Sequence, residues 1–314
     1  MKVSILMITY NHERFIAQAL ASVLAQRVNF DYEIVVGEDC STDGTRDIVM
    51  DFYRRNPKRI VPFLRSHNLG VAQNLMAALA SCRGQYVALL EGDDYWTRDD
   101  KLQKQVDFLD AHPDYAMCCH RAHVLDELGT DRAGVFPLHA AGPYAIEDLL
   151  TVCFVATCTV VFRRVLVSPL PTWFNEIELG DWALFALVAV HGKIDLMDEI
   201  MAVYRVHSGG IWSSQAAASQ LSQRMQTLTA LDKRLEFKYS KAIRFGIARL
   251  HFEMAYDARQ KGNRAETGKH LFNFIRNGGW QFLGSRRTFA SFAAYTVLGS
   301  WYETIRKAKR AILR

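Results

Sequence analysis

The sequence of 314 residues is poor in the residues that interrupt folded structure, with only 7 prolines and 19 glycines. It also lacks low-complexity runs and a usable internal repeat. Half of its residues are hydrophobic and 23% are charged, which is ordinary globular composition. These features exclude collagen-like, disordered and repeat architectures. The length suits one large α/β domain with an accessory region.

Cysteines are few, and none of the six forms a CxxC pair or a zinc-like spacing, so we expect buried, reduced thiols. The apolar stretch near the start has only seven residues and no small-residue cleavage site, which argues against a signal peptide. The uncharged, largely apolar runs 149–162 and 288–302 fall short of the ~20 apolar residues that span a membrane. We therefore expect a cytoplasmic protein, either free or peripheral on the inner face of the membrane.

The net charge changes sign between the two parts of the chain when it is divided after Trp212. Residues 1–212 carry 19 Lys and Arg against 27 Asp and Glu, whereas residues 213–314 carry 19 against 6. An acidic body followed by a basic region suggests contact with an anionic surface.

The first 111 residues alternate short apolar runs with amphipathic segments, which predicts a βαβ arrangement. Near-continuous apolar runs such as VSILMIT indicate parallel strands that are covered on both faces. Farther along the chain we expect further strands at 116–120, 157–162 and 201–206 and a helix at 181–191. From residue 215 the pattern is helical. The predicted N-terminal strands are 3–9, 33–38, 60–64 and 86–90, with helices at 13–26, 43–55, 71–81 and 101–111.

Polar clusters follow the predicted strands, at the sheet edge where open α/β folds bind ligands. Glu91-Gly92-Asp93-Asp94 places three carboxylates in four residues. Such a group is stable when it is solvated or bound to a hard divalent cation, and the cluster alone leaves both readings open.

Two more clusters follow earlier strands. After the second, Asp39 can accept a hydrogen bond from a base or ribose, while helix capping is the simpler role for Ser41, Thr42 or Asp43. After the first, Tyr10 offers a ring face for a base but also fits the edge of the core. His12 in the same cluster is expected to face solvent or to cap a helix.

In order and spacing, these motifs resemble the inverting family-two glycosyltransferases, which have the GT-A nucleotide-sugar fold. The resemblance is carried by VSILMITYNHERFIAQALASVLAQ, EIVVGEDCSTDGT, RSHNLGVAQNLMAAL and GQYVALLEGDDYW. It implies an α/β fold with a mostly parallel central sheet, followed by a helical C-terminal region. It covers residues 1–120 clearly and extends loosely to Trp212. We expect a catalytic domain at 1–214, with a nucleotide-binding half at 1–115 and an acceptor half at 116–214, and a helical basic region at 215–314.

The resemblance implies transfer of a sugar from a nucleotide diphosphate donor, with UDP favoured, and a divalent cation, Mn²⁺ or Mg²⁺. Glu91 stands where the family usually has the first aspartate of its DxD motif. Asp93 and Asp94 are the implied metal ligands, joined by His207 from a closing segment that includes Arg205 and paired glycines. The implied donor-binding residues are Thr9, Tyr10, Asn11, Glu38, Asp39, Asn68, Glu91, Gly92 and Asp93.

For the catalytic base, the family's downstream Glu-Asp type motif points to Asp181, which also suits a helix N-cap. Glu176 and Glu178 are the alternative candidates for the base. The base would take the proton of the acceptor hydroxyl during an inverting displacement.

Several alternatives stay open at this point. The last segment, 289–314, has the pattern of an amphipathic basic helix, which suits an anionic membrane surface, packing on the protein or a homodimer interface. We expect a glycan or lipid-linked acceptor in cell-surface polysaccharide synthesis and no nucleic acid partner. The competing functions are a non-catalytic nucleotide-sugar-binding scaffold and, less favoured, a sugar nucleotidyltransferase, since the chain lacks a Gly-rich phosphate loop near its start.

Overall fold

A computed structural model describes residues 1–130, 133–177 and 179–279. The chain forms two compact units. Among the described residues, unit 1 comprises those of 1–149 and 153–215, and unit 2 comprises 150–152 and 216–279. Glu178 and the predicted amphipathic helix 289–314 lie outside the described residues.

Unit 1 is built on a mixed sheet. Its strands are β1 Val3–Thr9, β2 Tyr32–Glu38, β3 Ile60–Leu64, β4 Tyr86–Leu89, β5 Tyr95–Trp96, β6 Tyr115–Asp126, β7 Gly134–Phe136, β8 Gly142–Tyr144, β9 Val161–Arg163 and β10 Lys193–Val206. The strand order is β3-β2-β1-β4-β9-β6-β10-β5, with β7 beside β6 and β8 beside β10. Strands β3, β2, β1 and β4 are mutually parallel. Strand β9 runs antiparallel between β4 and β6, and β10 is parallel to β6.

Helices connect the parallel strands, as the apolar periodicity predicts. In the first helix Ile16, Leu20 and Val23 are completely buried, because spacings of three and four residues place them on one helix face. Strands β1 and β2 are buried along almost their whole length. The helices are α1 Ile16–Leu24, α2 Thr45–Arg55, α3 Val71–Ser81, α4 Lys101–Ala111, α5 Ile146–Thr151, α6 Gly180–Ala189, α7 Ala217–Arg234, α8 Ser240–Gln260 and α9 Arg264–Arg276.

The predicted fold class is confirmed, but some local predictions were wrong. The strand expected at 157–162 is a 3₁₀ turn at Thr157–Thr159 followed by the short strand β9. Both the backbone N–H and the hydroxyl of Thr159 donate to the carbonyl of Ala156, so the donors of Thr159 are satisfied within the turn and not in the sheet. Helix α1 begins at Ile16 and not at residue 13, and the N–H of Glu13 before it donates to the Asp43 carboxylate.

The described part of unit 2 consists of helices whose apolar faces meet. Leu228 and Leu231 of α7, Ile243 of α8 and Phe274 of α9 are buried. Within the described residues no helix combines the length and the apolar character needed to cross a membrane. All six cysteines are free thiols, and four of them are buried.

Candidate active site

The candidate site lies at the carboxyl ends of β1, β2 and β4, which the parallel sheet brings to one edge. The N–H of Asp39 after β2 donates to the carbonyl of Thr9 at 3.0 Å, and the N–H of Gly92 after β4 donates to the carbonyl of Ile8 at 3.0 Å. Residues from three loops far apart in sequence therefore meet.

The loop after β1 is tied to the loop after β2. Asn11 has a left-handed backbone, with φ of 55°, and its side-chain oxygen accepts the N–H of Thr42 at 2.8 Å. Its own N–H donates to the hydroxyl of Ser41 at 3.0 Å. Tyr10, the predicted base-stacking residue, is partly exposed beside this junction. The Asp43 carboxylate accepts the N–H of Thr45 at 3.0 Å, the first residue of α2.

The two carboxylates that end β2 have different surroundings. Glu38 is completely buried, and its oxygens accept from the N–H of Ser41 at 2.6 Å and from the Arg46 guanidinium at 2.5 Å. Its predicted contact with a donor stays a prediction, and its observed contacts hold the loop.

Asp39 organises the loop that carries Asn68. Its two oxygens accept the N–H groups of Leu69 at 2.8 Å and Gly70 at 2.9 Å. The side chain of Asn68 also accepts the N–H of Gly70, at 2.9 Å. Asp39 and Asn68, both predicted to bind the donor, therefore hold the same short turn.

The three carboxylates of the acidic cluster converge after β4. Oxygens of Glu91, Asp93 and Asp94 lie within 4.8 Å of one another. Gly92 allows this loop to pack against β1, since a Cβ at its position would lie 2.5 Å from the Thr9 hydroxyl. A side chain is excluded at that distance, which explains glycine here.

Asp93 faces two imidazoles. Its Oδ2 lies 3.1 Å from Nε2 of His207 and 3.6 Å from Nε2 of His12. Burial opposes the ionisation of Asp93, but the hydrogen bond from His207 and the charges of both histidines outweigh it and lower the pKa of this carboxyl. Burial lowers the pKa of His12, against the opposing attraction of Asp93. His12, Asp93 and His207 form a second group whose candidate ligand atoms lie within 4.8 Å of one another.

Asp94 points to the interior. One of its oxygens accepts the N–H of Arg205 at 2.8 Å. The other is buried and has no partner of hydrogen-bond geometry among the described residues, with the weakly donating thiol of Cys158 beside it. Burial and the neighbouring charge of Asp93 raise the pKa of Asp94 well above its usual value.

Asp181 lies in the first turn of α6, and its Oδ1 accepts the N–H of Trp182 at 2.7 Å. Burial raises the pKa of Glu91 well above its usual value, and the charges of Asp93, Asp94 and Asp181 add to the rise. Asp181 is therefore close enough to act electrostatically on the acidic cluster.

This set of groups fits a divalent cation. Carboxylate oxygens suit Mg²⁺ and Mn²⁺, and imidazole nitrogens are common ligands of transition metals. A cation would also compensate the mutual repulsion of three clustered carboxylates and would offer a partner to the orphaned oxygen of Asp94.

Comparison with known proteins decides the family. Residues 4–168 match the sequence profile of glycosyl transferase family 2. The chain belongs to glycosyl transferase family 2. This finding confirms the resemblance read from the four motifs.

Individual relatives and a solved structure are also similar to this chain. An uncharacterized protein of Mycobacterium tuberculosis is 40% identical over 215 residues, which are 67% of this chain and 60% of that protein. The matched chain thus spans about three fifths of the relative's length. An Escherichia coli UDP-Glc:α-D-GlcNAc-diphosphoundecaprenol β-1,3-glucosyltransferase is 29% identical over 67% of this chain and 79% of its own length. The crystal structure of S. aureus TarS 1–349 in complex with UDP-GlcNAc aligns with a TM-score of 0.64 at 20% identity, covering 98% of this chain and 92% of that one. This likeness confirms the GT-A fold.

For two residues of this family 2 chain, the contacts seen in the structure were not predicted from the sequence. His12 lies with Asp93 and His207. Its position three residues after β1 is the feature of the sequence that could have indicated this contact. Arg205 is buried between the rings of Phe15 and Tyr95, with its guanidinium carbon 4.9 and 4.6 Å from their centroids. Its guanidinium donates to the backbone carbonyl of Asp93, so Arg205 holds the acidic loop.

Proposed function

We propose that this chain is a metal-dependent, inverting hexosyltransferase that moves a sugar from a nucleotide diphosphate donor, UDP-sugar in particular, to a glycan or lipid-linked acceptor in cell-surface polysaccharide synthesis. The observation that carries the proposal is the convergence of three carboxylates and two imidazoles at the same carboxyl edge of parallel strands that carries Asp39. Nucleotide ligands bind at that edge in open α/β folds.

The names of the similar proteins support this class of donor and acceptor. The E. coli relative uses UDP-Glc and a diphosphoundecaprenol-linked acceptor, according to its name. TarS was crystallised with UDP-GlcNAc. We assign donor binding to residues 1–115, acceptor binding to residues 116–214 and an accessory role to residues 215–314.

The donor half offers distinct contacts to the parts of a nucleotide sugar. We assign the ring of Tyr10 to stacking on the base, with Thr9, Asn11, Asp39 and Asn68 around the nucleoside. Asp93, Asp94 and His207, together with His12, would hold Mn²⁺ or Mg²⁺. A bound cation supplies Lewis-acid stabilisation of the diphosphate as it leaves.

Asp181 is the proposed general base. The acceptor hydroxyl oxygen forms a bond to the anomeric carbon as the bond from that carbon to the diphosphate breaks, and the electron pair leaves with the diphosphate. The hydroxyl proton goes to the Asp181 carboxylate. The hydrogen bond from Trp182 N–H holds that carboxylate at the start of α6.

Calorimetric titration with UDP, GDP and CDP, each with and without Mn²⁺, tests the donor site. We expect metal-dependent binding of UDP that Asp93→Asn weakens by at least about tenfold, since a charged ligand is lost. Asp181→Asn should keep UDP affinity while lowering UDP release from a UDP-sugar by about 100-fold or more, the usual contribution of a general base.

The exposed Asp47 of α2 supplies the matched control, because Asp47→Asn removes one carboxylate outside the cluster. It should change neither binding nor UDP release. Metal-dependent binding without turnover on any UDP-sugar would favour the nucleotide-sugar-binding scaffold, and absence of nucleotide binding would contradict the proposed site.

A further inference from the structure

The turn between α7 and α8 presents an aromatic side chain to solvent. Phe237 is 64% exposed. Its backbone is left-handed, with φ of 60°, and the preceding Glu236 has φ of 54°. Left-handed backbone is uncommon for a bulky residue, so Phe237 combines two unfavourable features.

The surrounding hydrogen bonds hold this conformation. The N–H of Phe237 donates to the carbonyl of Asp232 at 2.8 Å, and the N–H of Lys238 donates to the carbonyl of Leu235 at 3.1 Å. The hydroxyl of Ser240 donates to the Asp232 carboxylate at 2.6 Å. The ring is therefore displayed by an ordered turn, and strain that a structure maintains in this way points to a use.

Exposed cations lie on both sides of Phe237 in the sequence, and Glu236 is the exposed acid among residues 233–244. Lys238 lies over the Tyr239 ring at 5.3 Å and Lys241 over the Phe245 ring at 6.0 Å, with the ammonium groups still available to a ligand. The exposed cations of the turn and its flanking helix ends are Lys233, Arg234, Lys238, Lys241 and Arg244.

We propose that this turn, residues 233–244, docks on an anionic lipid surface. Phe237 enters the boundary between headgroups and acyl chains, and the surrounding lysines and arginines contact the anionic headgroups. A soluble polyanion such as a nucleic acid would engage the same cations but would not bury the ring. The proposal does not depend on the transferase activity, although a surface of this kind would bring the chain to a lipid-linked acceptor.

Sedimentation of the full chain with large unilamellar vesicles tests the apolar part of the proposal. The vesicles contain phosphatidylcholine alone or phosphatidylcholine with one third phosphatidylglycerol. Phe237→Ala should lower partitioning to the anionic vesicles by about tenfold, because burial of a phenyl ring is lost. Phe272→Ala removes a ring of α9 that is 65% exposed and should leave partitioning unchanged.

Charge reversal tests the basic part. Lys238→Glu with Lys241→Glu should abolish binding to the anionic vesicles, whereas Lys261→Glu with Lys269→Glu makes the same change of charge outside the turn and should lower binding far less. Circular dichroism checks that each variant is folded. Equal vesicle binding by wild type and Phe237→Ala would overturn the proposal. If charge reversal also removed binding to single-stranded DNA, that result would identify a general polyanion surface instead.

Discussion

At the scale of single residues, Lys101 at the start of α4 is an unusual core residue. It is completely buried, and its ammonium has no hydrogen-bond partner among the described residues. The ammonium lies 3.9 Å from the centroid of the Trp96 ring, which offsets part of the cost of burial. Burial lowers the pKa of Lys101 from 10.5 to about 7.

Lys101→Met should therefore stabilise the chain. Near pH 7 we expect the free energy of unfolding to rise by about 4 kcal/mol, since each unit of lowered pKa corresponds to about 1.4 kcal/mol. The folded state loses its proton above pH 7 and the unfolded state only near pH 10.5, so wild type gains stability as pH rises between these values. The advantage of the variant should shrink over the same range.

Urea unfolding at pH 7 and at pH 10 measures this difference. Lys104→Met is the control on the same helix, because Lys104 is only half-buried and is paired with Glu199. Its effect should stay within about 1 kcal/mol, the usual worth of a surface ion pair. A destabilised Lys101→Met would show that the ammonium has a partner that compensates its burial.

At the scale of elements, two helical glycines of unit 2 have opposite surroundings. A Cβ on Gly246 of α8 would lie 2.4 Å from the carbonyl oxygen of Leu150 and 2.9 Å from the Leu228 side chain. A Cβ on Gly268 of α9 would meet no atom within 4 Å. The first glycine permits close helix packing, and the second only weakens its helix.

Alanine at the two positions should therefore change stability in opposite directions. Gly246→Ala should destabilise by about 2 kcal/mol, through overpacking against backbone, whereas Gly268→Ala should stabilise by about 1 kcal/mol, through helix propensity. Thermal unfolding followed by circular dichroism compares them. Equal shifts of the midpoint would contradict the packing described for α8.

At the scale of the whole molecule, the acidic cluster of unit 1 should link stability to metal concentration. A cation that binds only the folded chain stabilises it, by about 2.7 kcal/mol at a hundred times its Kd. In scanning calorimetry we expect Mn²⁺ to raise the unfolding midpoint of wild type. Asp93→Asn should abolish most of this rise, and Gly268→Ala should leave it intact. A rise of the same size in Asp93→Asn would place the metal elsewhere.

The sequence by itself determined the class of the fold and the order of the donor motifs. Strands β1 and β3 and helices α3 and α4 have the predicted bounds, because apolar periodicity and turn residues are local signals. The parallel sheet then follows from apolar strands linked by helices, and it places TYNH, GEDC and EGDD at one edge.

Only the tertiary structure decided which side chains meet and how each is used. The pairing of β6 with β10 positions Arg205 and His207 against the acidic loop. The register between strands that are distant in sequence cannot be predicted from local sequence patterns. The contact of Asp93 with His12, the hydrogen bond of Arg46 to Glu38 and the burial of Lys101 also leave no local signal in the sequence. Local patterns specify elements, whereas the charge state and the partners of a side chain depend on neighbours that only folding supplies.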